Sequence, residues 1–189
     1  WISAAVTIMC ILLGYPVAYL LANLPLRYSN LLMILVLLPI WTSLLVRTTA
    51  WIVVLQTQGV LNDIMMLLGV IDERIQLIYN RFGVLVAMTH ILLPFMILPL
   101  YATLERLDWS LVEAAEDLGC RPWKAFLLVT LPLSVPGMIA GAMLVFIPAT
   151  GEFVIPNMLG ASDTLMIGRM LWDTFFSERD WTLASSLAV

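Results

Sequence analysis

Residues 108–132 read Asp-Trp-Ser-Leu-Val-Glu-Ala-Ala-Glu-Asp-Leu-Gly-Cys-Arg-Pro-Trp-Lys-Ala-Phe-Leu-Leu-Val-Thr-Leu-Pro and lie within the most charged break in an apolar chain. Ser110 and Glu113 have the spacing of a capping box, in which two side chains satisfy orphan backbone N–H groups, so a helix is expected to start there. Glu113, Glu116 and Asp117 favour its positive end. Ala114, Ala115 and Leu118 supply helix formers and one narrow apolar face. Gly119 is placed to end the helix with a left-handed residue. Pro122 suits the first turn of a second helix, whose Phe126, Leu127 and Val129 run on to Pro132. The expectation is a stiff helix–turn–helix hairpin of about 20 residues, whereas a plain helix–helix connection takes about 2–8. Small alanines on an exposed helix admit a partner closely. An interfacial hairpin without a partner is the plainer alternative.

The rest of the chain explains why such a hairpin stands out. Of 189 residues, 62% are hydrophobic and 12% charged, with a mean hydropathy of +1.00. Ordinary globular chains are about 45–50% apolar and about 25% charged. Too few polar side chains remain to cover a water-facing surface, so the chain belongs in a lipid bilayer. Nine basic against 13 acidic residues leave no basic excess for a nucleic-acid partner. Cys10 sits in an apolar run and Cys120 in a charged one, spaced for neither a disulfide nor a metal. The chain starts at Trp1 and stops at Val189 inside an apolar stretch. It is therefore expected to be an excerpt of a longer protein, lacking an N-terminal helix and the end of the last one.

Residues 1–26, 82–104 and 125–151 carry no charge, and 28–62 carry only Arg47. A membrane helix needs about 20 apolar residues, so four spans are expected, with 181–189 opening a fifth. Pro16, Pro39, Pro94, Pro99, Pro132, Pro136, Pro148 and Pro156 recur in or beside these runs. Each frees a carbonyl that must find another partner, which implies kinked helices packed against protein or a cavity. Gly137 and Gly141 form a small-xxx-small pair suited to close helix packing. Asn62-Asp63, followed by an apolar run and Gly69, predicts a short capped helix at the membrane interface. Basic residues alone do not orient the chain: Arg27, Arg106, Arg121 and Lys124 balance Arg74, Arg81, Arg169 and Arg179.

Glu113-Ala114-Ala115, three residues, Gly119, nine residues, Val129-Thr130-Leu131-Pro132 resembles the EAA loop of ABC importer permeases, Glu-Ala-Ala-x3-Gly-x9-Ile-x-Leu-Pro. The one departure is Val129 for Ile. Further stretches are similar to the spermidine/putrescine permease branch. They are Gly14-Tyr15-Pro16-Val17-Ala18-Tyr19, the run from Trp41 to Thr48, the run from Leu93 to Tyr101, and the run from Gly151 to Gly160. Asn157 and Ala161 depart from it, where that branch often has a glutamate and a glycine. The resemblance implies an all-α polytopic membrane protein with the type I importer helix bundle. Residues 1–189 would form a single transmembrane permease domain, with 105–132 as a cytoplasmic coupling loop docked in a cleft of an ATP-hydrolysing subunit. Glu113, Ala114, Ala115, Leu118, Gly119, Arg121 and Pro132 would make that coupling. Segments 58–81 and 152–180 would then face the periplasm of a bacterial inner membrane.

Candidates for a substrate pathway follow from charge at membrane depth. Glu152 ends a 27-residue uncharged run, between Pro148 and Pro156. A carboxylate on broken backbone there either lines a cavity or sits in a solvated loop. Polyamine ammonium groups pair naturally with carboxylates and aromatic faces. Glu152, Phe153, Trp172 and Asp173 are therefore candidates, with Trp41 and Arg47. Arg47, counted as 18 positions into a helix starting near Asn30, would lie about 26 Å along it. There it either snorkels outward or acts at a gate. Trp41 and the other tryptophans also serve as interfacial anchors. His90, mid-span, reads as a packing histidine or a proton relay.

The leading reading is a permease subunit of an ATP-driven importer, for polyamines or a related small cation. No Gly-x4-Gly-Lys-Ser/Thr phosphate loop is present, so ATP and magnesium would be held by partner subunits, and no cofactor or metal by this chain. The expected partners are two ATP-binding subunits, a paralogous second permease subunit, a periplasmic substrate-binding protein and the bilayer. The alternatives are an ion-gradient-driven secondary transporter, or an ABC permease for ferric iron or an organophosphonate. A secondary transporter would call for paired ionisable groups at mid-membrane and an inverted repeat. An intramembrane enzyme would need a catalytic constellation that His90 and Cys10 do not supply.

Overall fold

The computed structural model describes residues 1–160, 166–179 and 181–188, and every regular element in them is helical. Ala161 and Val189, singled out in the sequence, lie outside the described residues. The helices are α1 (Ile2–Asn23), α2 (Leu26–Leu37), α3 (Leu44–Leu55), α4 (Val60–Leu67), α5 (Arg81–Glu105) and α6 (Ser110–Asp117). They continue with α7 (Pro122–Ala125), α8 (Leu131–Gly151), α9 (Val154–Leu159), α10 (Ile167–Trp172) and α11 (Trp181–Ala188). A 3-10 turn covers Leu38–Trp41, and π-helical turns cover Phe126–Thr130 and Asp173–Ser177. Four apolar stretches are long enough to cross a bilayer: Ile2–Asn23, Leu44–Leu67, Arg81–Glu105 and Pro122–Gly151.

Three expected spans match these stretches directly, whereas the window 28–62 does not form one helix. Pro39 has no N–H to donate to the Leu35 carbonyl, and α2 ends two residues before it, at Leu37. The chain then tightens, with Thr42 N–H and Thr42 Oγ1 both bonded to the Pro39 carbonyl, at 3.2 and 2.7 Å. Arg47 is thus the fourth residue of α3, and the depth counted from Asn30 does not apply. The stretch Leu44–Leu67 is itself interrupted at residues 56–59.

Contacts divide the chain into two compact units: Trp1–Val6 with Pro39–Ile91 and Phe146–Val189, and Thr7–Leu38 with Leu92–Val145. In the first, Val84, Ala87, Met88, Leu55, Ile155 and Leu159 are buried. The loop after α3 is organised by Asn62, which is inside α4 rather than capping it. Its Nδ2 donates to the Gln56 and Ile75 carbonyls, at 3.2 and 2.9 Å, and its Oδ1 accepts from Ile75 N–H at 3.0 Å. A buried amide must find such partners, and only Val60 and Leu61 of α4 precede it. Arg74 pairs with Asp63 at 2.8 Å on the surface of the same loop.

In the second unit α8 lies directly on α5. A Cβ on Gly137 would collide with Thr103 Oγ1 and sit 2.9 Å from the Pro99 carbonyl; one on Gly141 would be 2.7 Å from Met96 Sδ. The small-residue pair therefore lets two backbones approach, as its spacing predicts. Ser29 Oγ donates to Tyr101 Oη at 3.2 Å, and Tyr101 donates to Glu105 at 3.0 Å, joining α2 to the end of α5.

Candidate functional site

Within the second unit, α6 and α7 form a helix–turn–helix hairpin about Gly119. Helix α6 starts at Ser110, but the capping box is not made. The Ser110 backbone N–H bonds Asp108 Oδ1 at 3.1 Å, and no side chain of Trp109 or Ser110 caps the start. An aspartate two residues upstream of the first helical residue can reach back to an orphan donor through an Asx turn, and it displaced the longer-range box. The end of α6 follows expectation. Gly119 has φ +88°; its N–H bonds the Glu116 carbonyl at 2.8 Å, and Cys120 N–H bonds the Ala115 carbonyl at 3.0 Å. These two bonds make a Schellman motif, which satisfies carbonyls a free helix end would leave open. Arg121, extended at ψ 147°, then hands the chain to Pro122 at the head of α7.

The outward face of this hairpin is apolar. Leu111 is exposed, Ala114 is exposed, Ala115 is half-buried, and Leu118 at the tip is 88% exposed. Glu113 and Arg121 are also exposed. Positions 111, 114, 115 and 118 fall on one side of a helix. The base of the hairpin, by contrast, is packed. Tyr19 of α1 makes edge-on contacts with Trp109 (6.1 Å) and Phe126 (5.5 Å), and Tyr15 with Phe126 (5.6 Å). Pro132 is the second residue of α8, two positions past the end of the π-helical turn. Its missing N–H and its ring's clash with the Leu128 carbonyl account for the widened turn, closed by Leu131 N–H to the Phe126 carbonyl.

Four of the six pathway candidates come together in the first unit. Glu152 is half-buried, and its Oε1 accepts from the N–H groups of Val154 (2.9 Å) and Ile155 (3.3 Å). It is a cap for α9, where a carboxylate complements exposed amides. Phe153 stacks on Trp172 with centroids 4.4 Å apart and planes 8° apart, and Trp172 meets Phe176 at 4.2 Å. Asp173 follows on, in a loose ion pair with Arg169 at 3.9 Å. A cavity of about 370 Å³ is lined by Trp172, Phe175, Phe176 and Trp181. Helix α10 comes close because Gly168 has no side chain; a Cβ there would collide with the Gly151 carbonyl. Phe175 and Phe176 escaped the sequence reading, and Trp181 entered it only as an anchor, although Trp172, Phe175 and Phe176 have the i, i+3, i+4 spacing that places rings on one face.

Trp41 and Arg47 are not part of that cluster. Trp41 is 84% exposed on the 3-10 turn. Arg47 has two guanidinium nitrogens, Nε and Nη1, buried without a hydrogen-bond partner. It lines a cavity of about 200 Å³ with Trp51 and His90. Trp51 Nε1 donates to His90 Nδ1 at 3.3 Å, with the rings edge-on. That contact accounts for His90 as a packing histidine.

The family model described as binding-protein-dependent transport system inner membrane component matches residues 11–189. The chain belongs to this family. It is 39% identical over 183 residues to the spermidine/putrescine transport system permease protein PotB of Escherichia coli, covering 97% of this chain and 66% of that protein. It is 38% identical over 187 residues to PotB of Haemophilus influenzae, covering 99% of this chain and 65% of that protein. The chain thus spans just under two thirds of the length of these relatives. The crystal structure of a bacterial ABC transporter involved in the import of the acidic polysaccharide alginate has the same fold. Its TM-score is 0.73 over 99% of this chain and 70% of that one, at 16% identity. The family match runs from within the first apolar stretch across the other three and the hairpin, as expected for an all-α polytopic membrane protein.

Proposed function

We propose that this chain is a permease subunit of an ATP-driven importer in a bacterial inner membrane, carrying polyamines such as spermidine and putrescine. Residues 1–189 act as one permease domain. The stretch 105–132 faces the cytoplasm as a coupling loop, and segments 58–81 and 152–180 face the periplasm. Two ATP-binding subunits hold ATP and magnesium, a paralogous permease subunit completes the pathway, and a periplasmic binding protein delivers the substrate. This chain contributes movement and selectivity and changes no bond in the substrate.

The observation that carries this reading is the hairpin. Its Gly119 turn is closed by two backbone bonds, its apolar face ends in an almost fully exposed Leu118, and its base is packed on aromatic rings. Such an element transmits a push instead of absorbing it. Closure of the ATP-binding subunits around nucleotide moves the docked hairpin and rocks the helices between inward-open and outward-open states. Glu113, Ala114, Ala115, Leu118, Gly119, Arg121 and Pro132 make the docking surface and fix its geometry.

Polyamine selectivity is supported by the 39% identity to PotB and by the aromatic cluster. Phe153 and Trp172 stack on each other, and a ring face left open in this exposed cluster can hold an ammonium group, a contact worth about 0.5–1 kcal/mol at an exposed site. Asp173, with its side chain 52% exposed, adds negative charge beside them. Uptake of labelled putrescine into vesicles containing the assembled transporter tests the reading. Transport requires internal or external ATP on the hairpin side and stops without it. Transport driven by a proton or sodium gradient in the absence of ATP would contradict it.

A further inference from the structure

The joint between the coupling hairpin and the helix behind it is built to be weak. Phe126–Thr130 is a π-helical turn, and Pro132 supplies no N–H beyond it. Thr130 Oγ1 is buried with no hydrogen-bond partner. Four other helical threonines satisfy that hydroxyl on the carbonyl four residues back. Thr48, Thr49, Thr103 and Thr150 do so at 2.8, 2.8, 2.9 and 2.9 Å. The π turn withdraws that acceptor from Thr130. A push on the hairpin meets its least-supported backbone here, where a helix bends most readily.

Two tyrosines from α1 bridge this joint. Tyr15 touches it on both sides. Its ring lies edge-on to Phe126 at 5.6 Å, and its hydroxyl is 2.8 Å from Ser134 Oγ. Ser134 donates in turn to the Leu131 carbonyl at 2.8 Å, so the phenol is the donor in a chain that ends on the backbone just past the π turn. Tyr19 spans the other gap, with Trp109 ahead of α6 and Phe126 after α7. Both arms of the hairpin therefore rest on one helix.

We propose that Tyr15 and Tyr19 are positioning residues that splint the π-helical joint, so that displacement of the hairpin is carried into α1 and α8 together instead of being lost as bending at Phe126–Thr130. The proposal rests on the permease reading above. It implies that the tyrosines set how much transport each ATP drives, and not whether the hairpin binds its motor.

The test uses the assembled transporter in vesicles, with three readings on each variant: cross-linking of a cysteine at position 118 to the ATP-binding subunit, ATP hydrolysis, and substrate transported per ATP. For Tyr19→Leu the expected result is normal cross-linking, hydrolysis within about twofold of the parent, and a fall of about tenfold in transport per ATP. Tyr19→Phe keeps both ring contacts and restores the parent ratio. Tyr15→Phe removes the link to Ser134 while keeping the ring, and gives a smaller fall matched by Ser134→Ala, with no further fall in the double variant. Parent-like transport per ATP in Tyr19→Leu overturns the proposal. So does loss of cross-linking in both Tyr19→Leu and Tyr15→Phe, which makes the residues structural supports only. Absence of the cross-link in the parent protein instead sinks the permease reading itself.

Discussion

Tyr15 Oη lies 2.8 Å from Ser134 Oγ, a hydrogen bond between positions 119 residues apart that fastens the first apolar helix to the head of α8. Both groups are buried, so each needs the other. The contact fixes the hairpin's base to the apolar part of the chain.

Gly119 is held at φ +88° with nothing within 4 Å of where a Cβ would stand. Replacement therefore meets a conformational cost and no steric neighbour. Gly119→Val is expected to destabilise the turn by about 1–2 kcal/mol, the penalty for a left-handed residue with a Cβ, and more for a β-branched one. Gly119→Asn should cost less. Co-purification with the ATP-binding subunit should drop in that order, with membrane insertion unchanged. Equal behaviour of the two variants would show that the turn's handedness is unimportant.

Leu118 has 88% of its surface exposed, and removing it should leave stability within about 0.5 kcal/mol. Leu118→Glu is accordingly expected to fold and insert normally while losing most of its ATP-driven transport. A thermal melt together with an uptake assay separates the two effects. A lowered melting temperature would place Leu118 in packing instead of docking.

Trp172 stacks on Phe153 at 4.4 Å and meets Phe176 at 4.2 Å. Trp172→Ala should raise the KM for putrescine roughly threefold, as expected from losing about 0.5–1 kcal/mol of exposed cation–π contact. Trp172→Phe should fall between. An unchanged KM in Trp172→Ala removes the cluster from the substrate path.

Asn62 and Asp63 are adjacent but differ in worth. Asn62 is buried and makes three hydrogen bonds. Asn62→Ala removes the side-chain partner of the Ile75 N–H and of the Ile75 carbonyl, while the Gln56 carbonyl keeps the Gly59 N–H at 2.7 Å, and it should cost about 1–3 kcal/mol. The Asp63–Arg74 pair has side chains 57% and 39% exposed, so Asp63→Asn should cost no more than about 1 kcal/mol. Limited proteolysis of residues 56–80 in the two variants ranks them.

Much of this was legible in the sequence for a simple reason: the bilayer demands long uncharged runs, and charge marks the longer polar segments between them. The α6–Gly119–Pro122 hairpin was readable because glycine and proline each do one thing at a helix end. Where two donors or acceptors compete locally, spacing was a poor guide. Asp108 rather than Ser110 took the first amide of α6, and Asn62 served the loop instead of a cap. The break at Pro39 was hidden inside a 35-residue window whose composition alone looked like one span. Glu152 and Trp172 were found by charge and aromatic type. The spacing of Trp172, Phe175 and Phe176 puts their rings on one face, whereas the contact of Phe175 with Trp181 depends on how α11 packs back, which no local pattern encodes. Tyr15 and Tyr19 had no visible task, because their partners lie about 90–120 positions away.

The claim on which the rest depends is that the face carrying Leu118 rests on an ATP-hydrolysing subunit. A single cysteine at position 118, in the assembled transporter in sealed vesicles of known orientation, measures this directly. The account predicts that the cysteine forms a cross-link to the ATP-binding subunit and is reached only by thiol reagents on the cytoplasmic side. Labelling from the periplasmic side, with no cross-link to that subunit, would contradict it.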